Sequence, residues 1–567
     1  MTTTAHTDSA EGTDDLAVPL DHLLIEAALG PVRRFAPDGS TARLLGALAR
    51  RPVTTGRRVG ALAASLGQIA AGTSTIAPDR RDRRFGDEAW TTNPALRRVM
   101  QAYLAGGATA AQLVADADLD WRDEQRIGFL LENLTEALAP SNVPLLNPAS
   151  AKAAIDSRGA SVARGVTAFA NDLSAKPRVP QMVDSSPFTL GGNIAISPGA
   201  VVARTEVLEL IRYQPTTAKV REVPLLMVPP TINKYYAIDL APGRSLVEYL
   251  VAQGQQVFVV SWRNPTSAHA DWDSDTYVAE IIDALDTTAR IAGTEQVALT
   301  GICSGGILSS LAASHLAATG RLDRLAAFSL FVTVLDQAKA GLPAALGGKK
   351  MAELAKAASR RRGYLDGRDL AETFAWLRPG DLVWNYWVNN YLLGRRPPAF
   401  DILFWNADTV RMPAGLHADF VDIGLENRLV NPGSHRTLGT PVDLGTITTD
   451  AYVVAGIADH ITPWQNCYQT TQLLGGDTQF VLSTSGHIAA LVNPPGNPKA
   501  TYRDGGVQGG DAQEWLESAE QHAGSWWADY AAWLGDRSGA LVKAPRRLDT
   551  GGASVLAQAP GTYVLEA

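Results

Sequence analysis

The sequence predicts an α/β fold: a mostly parallel sheet with helices on both faces, a cap insertion, and a mostly helical region in front. Three observations carry that reading. The first is a series of continuous apolar runs: VPLLMVPP (223–230), QQVFVVSW (255–262), QVALTGI (296–302), LAAFSLFVTVL (325–335), TDAYVVAG (449–456) and TQFVLS (478–483). Runs without polar alternation are strands covered on both sides. Helical stretches lie between them, at RSLVEYLVAQG (244–254), SDTYVAEIIDALDTTARIAG (274–293) and about 463–474. Strand–helix alternation argues a parallel sheet. The second observation is the helical spacing before about residue 190, as in NPALRRVMQAYL (93–104) and DEQRIGFLLENLTEAL (123–138), with no convincing strand run. The third is a break in the rhythm from about 337 to 445. An insertion there caps the strand C-terminal ends, the edge where open α/β sheets bind ligands.

The chain therefore divides into a disordered tail at 1–17, an N-terminal helical domain at 18–190 and an α/β domain at 191–567 carrying the cap at 337–445. A length of 567 residues suits two domains. The formal net charge of −8 leaves no footprint for nucleic acid. Arginines in PDRRDRRFGDE (78–88) are interleaved with acids and read as a solvated surface. Two cysteines, Cys303 and Cys467, make no disulfide framework and fit a reducing compartment. The opening MTTTAHTDSAEGTDD lacks the apolar core of a signal peptide, and the longest apolar stretch is short of a membrane span. A cytoplasmic location is expected.

The segment 299–306 reads LTGICSGG, a strand leading through Gly301-Ile302-Cys303-Ser304-Gly305 into GGILSSLAASHLAATG (305–320), which has helical spacing. Strand, sharp turn and helix form the nucleophile elbow of an α/β-hydrolase, with a thiol where such enzymes usually place a hydroxyl. A cysteine nucleophile needs a base, and the base an orienting carboxylate. On this fold they follow in the order acid, then histidine, each after a late strand. Asp459 follows the strand ending at Gly456, in GIADHITPW (456–464), and His487 follows the strand ending at Ser483, in TSGHIAALVNPPGNP (484–498). Cys303, His487 and Asp459 are the expected triad. The oxyanion hole takes the backbone N–H of Ser304 and a second donor from VPPTINKYY (228–236), Thr231 or Ile232; Pro229 and Pro230 have no N–H to give.

The remaining candidates have bland readings beside sharp ones. His460 polarises the site or, the favoured reading, helps cap the helix begun by Thr462-Pro463. His315 and His417 are packing or surface residues, and Cys467 is a small buried hydrophobe. In the cap, WNYWVNNYLL (384–393) and PPAFDILFW (397–405) bring Trp384, Trp387 and Trp405 close in sequence. They are cap core, an apolar wall for a lipid-like substrate, or a mixture of the two. LGGKK (346–350) lacks the phosphate-loop pattern, DWDSD (271–275) continues wrongly for a calcium loop, and neither HExxH nor paired CxxC occurs. No metal and no cofactor are expected.

These residues resemble the polyhydroxyalkanoate synthases. The likeness runs from about residue 80 to the C-terminus through LTEALAPSNVPLLNP (134–148), VPPTINKYYAIDL (228–240), VSWRNP (260–265), GICSGG, WNYWVNNYLLG (384–394), AGIADHITPW and SGHIAALVNPPGNPKA. The Ser after Cys303, with ITPWQNCY and GHIAALVNPPGNPKA, is most similar to the single-subunit type favouring medium-chain monomers. Thr231 departs from the family's usual Trp or Gln, at a position that would bear on acyl-chain length. The resemblance implies a polymerase joining (R)-3-hydroxyacyl units from coenzyme A thioesters into polyester, with release of CoA. Cys303 would carry the acyl group as a thioester, His487 would activate thiol and then 3-hydroxyl, and Asp459 would orient His487. Coenzyme A is then part of the substrate. The resemblance also implies a homodimer and residence at the granule surface, which VPLDHLLIEAAL (18–29) could touch unless it is an ordinary docking helix. A thioesterase or lipase-like hydrolase on the same fold is the alternative.

Overall fold

The computed structural model describes residues 20–30, 35, 39–80, 82–174, 176–337, 348–507 and 509–567. The expected tail at 1–17 lies outside them. Among the described residues every helix or strand from Gly39 to Ser174 is helical. Local chemistry explains the boundaries. The helix Pro94–Ala117 starts behind Asn93, whose side chain accepts from the Ala95 and Leu96 N–H groups, and has proline at its first position.

The main sheet comprises β1 (Gly199–Arg204), β2 (Leu208–Tyr213), β3 (Leu225–Val228), β4 (Val257–Trp262), β5 (Val297–Ile302), β6 (Leu325–Phe331), β7 (Ala451–Gly456), β8 (Thr478–Ser483), β9 (Thr501–Asp504), β10 (Glu520–Ala523) and β11 (Ala557–Gln558). Their order is β10-β9-β8-β7-β6-β5-β3-β4-β2-β1-β11. The centre, from β8 to β4, is parallel. Helices Ser274–Ala292 and Ser304–Ala318 pack on one face, Leu246–Ala252 and Trp526–Arg537 on the other. The expected α/β-hydrolase sheet with helices on both faces is what forms.

The flanks were not foreseen. β1, β2, β9, β10 and β11 all pair antiparallel. β2 reads LELIRY, and its charges interrupt the apolar signature although all six residues are buried. Glu209 is completely buried because Arg204, Thr562 and the N–H of Tyr563 satisfy its carboxylate. A buried charge survives only when paired in this way.

Between β6 and β7 the chain builds the cap from helices such as Gly348–Arg362, Gly367–Leu377, Asp401–Ala407 and Ala414–Leu425. The first described helix, α1 (Leu20–Leu29), lies on this cap against Gly348–Arg362, Gly367–Leu377 and Ala414–Leu425. Leu24, Ile25 and Ala27 are buried there. Two such aliphatic side chains contribute about 1.5–3 kcal/mol each. The Nε2–H of His417 donates to the Leu24 carbonyl at 3.2 Å. The stretch 18–29 weighed for granule contact therefore includes a helix docked on the cap, with Leu24, Ile25 and Ala27 turned into that contact.

Candidate active site

Parallel register brings the loops that carry Cys303, Asp459 and His487 to one edge. Val228 of β3 lies opposite Gly301 of β5, and Gly456 of β7 opposite Ser483 of β8. The loop after β3, the turn after β5 and the loops after β7 and β8 thus leave the sheet side by side.

Cys303 sits in that turn with φ +51° and ψ −121°, immediately before the helix α2 (Ser304–Ala318). A side chain held at positive φ is strained and persists only where its surroundings over-determine it. Here the surroundings are glycine-lined. A Cβ on Gly305 would lie 2.4 Å from the Pro229 carbonyl oxygen and 2.5 Å from that of Val228. The missing side chain lets the start of α2 press against the end of β3.

His487 donates from Nδ1 to Asp459 Oδ2 at 2.7 Å and also engages the Cys303 thiol. Burial works against a charged imidazole. The Asp459 carboxylate outweighs it, with the Cys303 contact adding to the effect, and pushes His487 up to about 10. Burial raises Asp459, but the imidazole charge and its hydrogen bonds hold it below the usual carboxylate range. Charge and hydrogen bonds here favour imidazolium beside carboxylate.

Thr462 was missed in the sequence. Its Oγ1–H donates to Asp459 Oδ2 at 2.5 Å and lies 3.1 Å from His487 Nδ1, while Asp459 Oδ1 accepts from the N–H groups of Ile461 and Thr462. The visible signal is Asp459-His460-Ile461-Thr462: an aspartate closing a local turn onto a hydroxyl three residues ahead.

Thr231 and Ile232, the two candidates for the second oxyanion donor, have different surroundings. The Thr231 N–H donates to Ser304 Oγ at 3.0 Å, and the two side-chain hydroxyls lie 3.2 Å apart. Thr231 is therefore turned to the elbow. Ile232 faces the cavity, and its carbonyl accepts from Val410 N–H of the cap. Trp262 Nε1–H holds the Pro229 carbonyl at 3.0 Å, fixing the base of the same loop.

Above these groups lies a cavity of about 370 Å³, lined among others by Ile232, Cys303, Phe374, Ile402, Trp405 and His487. His460 also lines it. Trp405 donates from Nε1 to the Lys234 carbonyl at 2.7 Å, tying cap to loop. Thr231, Trp384 and Trp387, weighed above for a pocket role, lie outside the lining of this cavity. Trp384 packs against Trp376 and Trp387. Trp387 donates to the Asn142 carbonyl and meets Phe169 edge-on. Their segment receives the N-terminal helices: a Cβ on Gly165 would fall 1.9 Å from the Tyr391 carbonyl oxygen. Cys467 is fully buried, and burial pushes its thiol well up. His315 Nδ1 lies 2.9 Å from Thr440 Oγ1. Among the described residues no group of His, Cys, Asp and Glu is placed to hold a metal ion, and no helix is long and apolar enough to cross a membrane.

Residues 81–250 match the family model described as the poly-beta-hydroxybutyrate polymerase N-terminus, and 224–494 match the alpha/beta hydrolase fold. Poly(3-hydroxyalkanoate) polymerase 1 of Ectopseudomonas oleovorans is 43% identical over 535 residues, covering 94% of this chain and 95% of that protein. Polymerase 2 of the same organism is 45% identical, covering 91% and 92%. The poly(3-hydroxyalkanoate) polymerase subunit of Cupriavidus necator is 38% identical, covering 88% and 85%. The chain belongs to the poly(3-hydroxyalkanoate) polymerases, a family of enzymes of the acyltransferase type.

Proposed function

We propose that this enzyme joins (R)-3-hydroxyacyl groups from coenzyme A thioesters into a polyester, carrying the acyl group on Cys303. The observation that carries the reading is a thiol in the elbow, engaged by His487, beneath an apolar cavity roofed by the cap. His487 takes the thiol proton, and Cys303 sulfur attacks the thioester carbonyl. The developing oxyanion faces the N–H groups of Ser304 and Ile232. Collapse breaks the bond to CoA sulfur, and His487 returns the proton to release CoA thiol. Exchange of one thioester for another is nearly balanced in free energy, so the acyl group stays activated. His487 next takes the proton of a 3-hydroxyl. The alkoxide attacks the Cys303 thioester, an ester bond forms and the thiol is regenerated. Asp459, held by Thr462, keeps the imidazole oriented, and the cap keeps out water, the competing acceptor.

An insoluble product places the enzyme at a granule surface in the cytoplasm. An exposed stripe of Val162, Val166, Phe169 and Leu173 along the helix Ala160–Ser174 supports such contact. Dimer formation rests on the family resemblance. The test feeds (R)-3-hydroxyacyl-CoA of four, eight and ten carbons to the protein and to Cys303→Ala. Free CoA with insoluble polyester, absent in the variant, supports the reading, and the best substrate assigns the chain-length class. Soluble hydroxy acid would instead make this a thioesterase.

A further inference from the structure

Next to the catalytic cavity lies a second compartment of about 230 Å³ with the opposite character. Its wall joins three parts of the chain: Glu132 and Glu136 from the helix Trp121–Ala137, the cap segment Leu377–Asp381, and His460 beside the catalytic aspartate. Arg378, Asp381 and His460 line both spaces, so the two adjoin one another. Glu132, Arg378 and Asp381 are exposed, so the polar compartment leads from solvent inward. Its back wall is ordered. Glu136 accepts from Arg84 at 2.8 Å, and a Cβ on Gly380 would come within 3.2 Å of the Glu136 carboxyl.

We infer that this compartment, with carboxylates from the N-terminal helix Trp121–Ala137 on one side and the cap on the other, receives the neutral amide-bearing pantetheine arm of the thioester while the acyl chain enters the apolar cavity. The inference rests on the function proposed above and adds where the leaving group lies. A hydroxyacyl-CoA is apolar on one side of its sulfur and polar on the other, and the two linings have that contrast. Asp381 is paired with Arg378 at 2.6 Å and Glu136 with Arg84 through Oε1, while Glu136 Oε2 is buried without a hydrogen-bond partner; with Glu132 these carboxylates offer oxygens to amide N–H groups. They outnumber Arg378 and Arg84 and repel phosphates, which leaves the nucleotide end of CoA outside. The helix Trp121–Ala137 then belongs to the substrate channel.

The experiment measures initial rates with the (R)-3-hydroxyoctanoyl esters of CoA, pantetheine and N-acetylcysteamine, for the unaltered protein, Glu132→Gln, Asp381→Asn and the double variant. Both positions are exposed, so folding is not at stake. The expected result is a KM raised together for the CoA and pantetheine esters, about five- to tenfold in the double variant, against less than about twofold for N-acetylcysteamine. Equal change for all three esters, change with CoA alone, a lower KM for CoA, or no change would each overturn the inference. Polymer and free CoA from the unaltered protein would leave the proposed function standing in all of those cases. Absence of CoA release there would remove that function and this inference with it.

Discussion

The floor and the roof of the cavity above Cys303 obey different rules. The floor consists of turns leaving parallel strands, and its side chains are fixed by strand register: Cys303 after β5, Asp459 after β7, His487 after β8. The roof comes from the insertion between β6 and β7, where three tryptophans of similar sequence context divide between two roles. Trp405 faces the cavity and ties the cap to Lys234, while Trp384 and Trp387 serve the junction with the N-terminal helices. A side chain at a strand end has little choice of direction. On a cap helix, direction follows from what the helix packs against.

The largest effect that could break this contrast is in the floor. Cys303→Ser should lower CoA release by about 10³-fold or more, since the alkoxide is a far weaker competitor at this site. Retention of a tenth of the rate would mean that the acyl group is carried elsewhere. Ser304→Ala should come next. Without the Ser304 oxygen the Thr231 N–H loses its acceptor and the loop presenting Ile232 is free to shift. Kcat should fall about 10–100-fold with KM and thermal midpoint little altered, and Ser304→Thr should restore most of it. A drop in the thermal midpoint matching the loss of rate would reduce the pair to packing.

In the roof, Trp405→Leu should change KM several-fold, whereas Trp384→Leu should leave KM alone and cost about 1–3 kcal/mol of stability in denaturant titration. The reverse pattern would erase the distinction between the tryptophans. The smallest effect concerns the strap α1. Burial lowers His417 to about 4, with Lys356 adding to the effect, from an ordinary 6.5. The neutral ring is the one the fold accepts, so its contribution is present above about pH 6.5 and is lost as pH falls toward 4. The stability difference between the unaltered protein and His417→Leu should shrink across that window. A pH-independent difference would show that protonation of His417 plays no part.

Much of the floor was legible. All six apolar runs became central strands, and Gly301-x-Cys303-x-Gly305 became the turn, because a strand buried on both faces must be apolar and an elbow must be small around its nucleophile. The triad order followed from chain direction alone. Thr462 was visible only as a turn, since a hydroxyl near an aspartate has many uses. The edge strands were hidden for a converse reason. TYRD and EQHA, β9 and β10, are half wet, and β2 hides Glu209 and Arg212 among apolar residues. Pairing with Thr562 and Tyr563, some 350 residues away, makes the buried Glu209 tolerable.

Sequence by itself determined the strand–helix alternation, the thiol at the elbow and the order in which Cys303, Asp459 and His487 follow their strands. Each depends on neighbours a few residues away, through backbone sterics and the period of burial. Tertiary structure alone decided that Thr231 serves Ser304 and leaves the cavity to Ile232. It also decided that α1 lies on the cap, and that Glu132 and Glu136 meet Asp381 and His460 around one polar space. Those outcomes depend on contacts between segments 70 to 390 residues apart. Such contacts form only when burial of apolar surface has offset the entropy of bringing distant chain together.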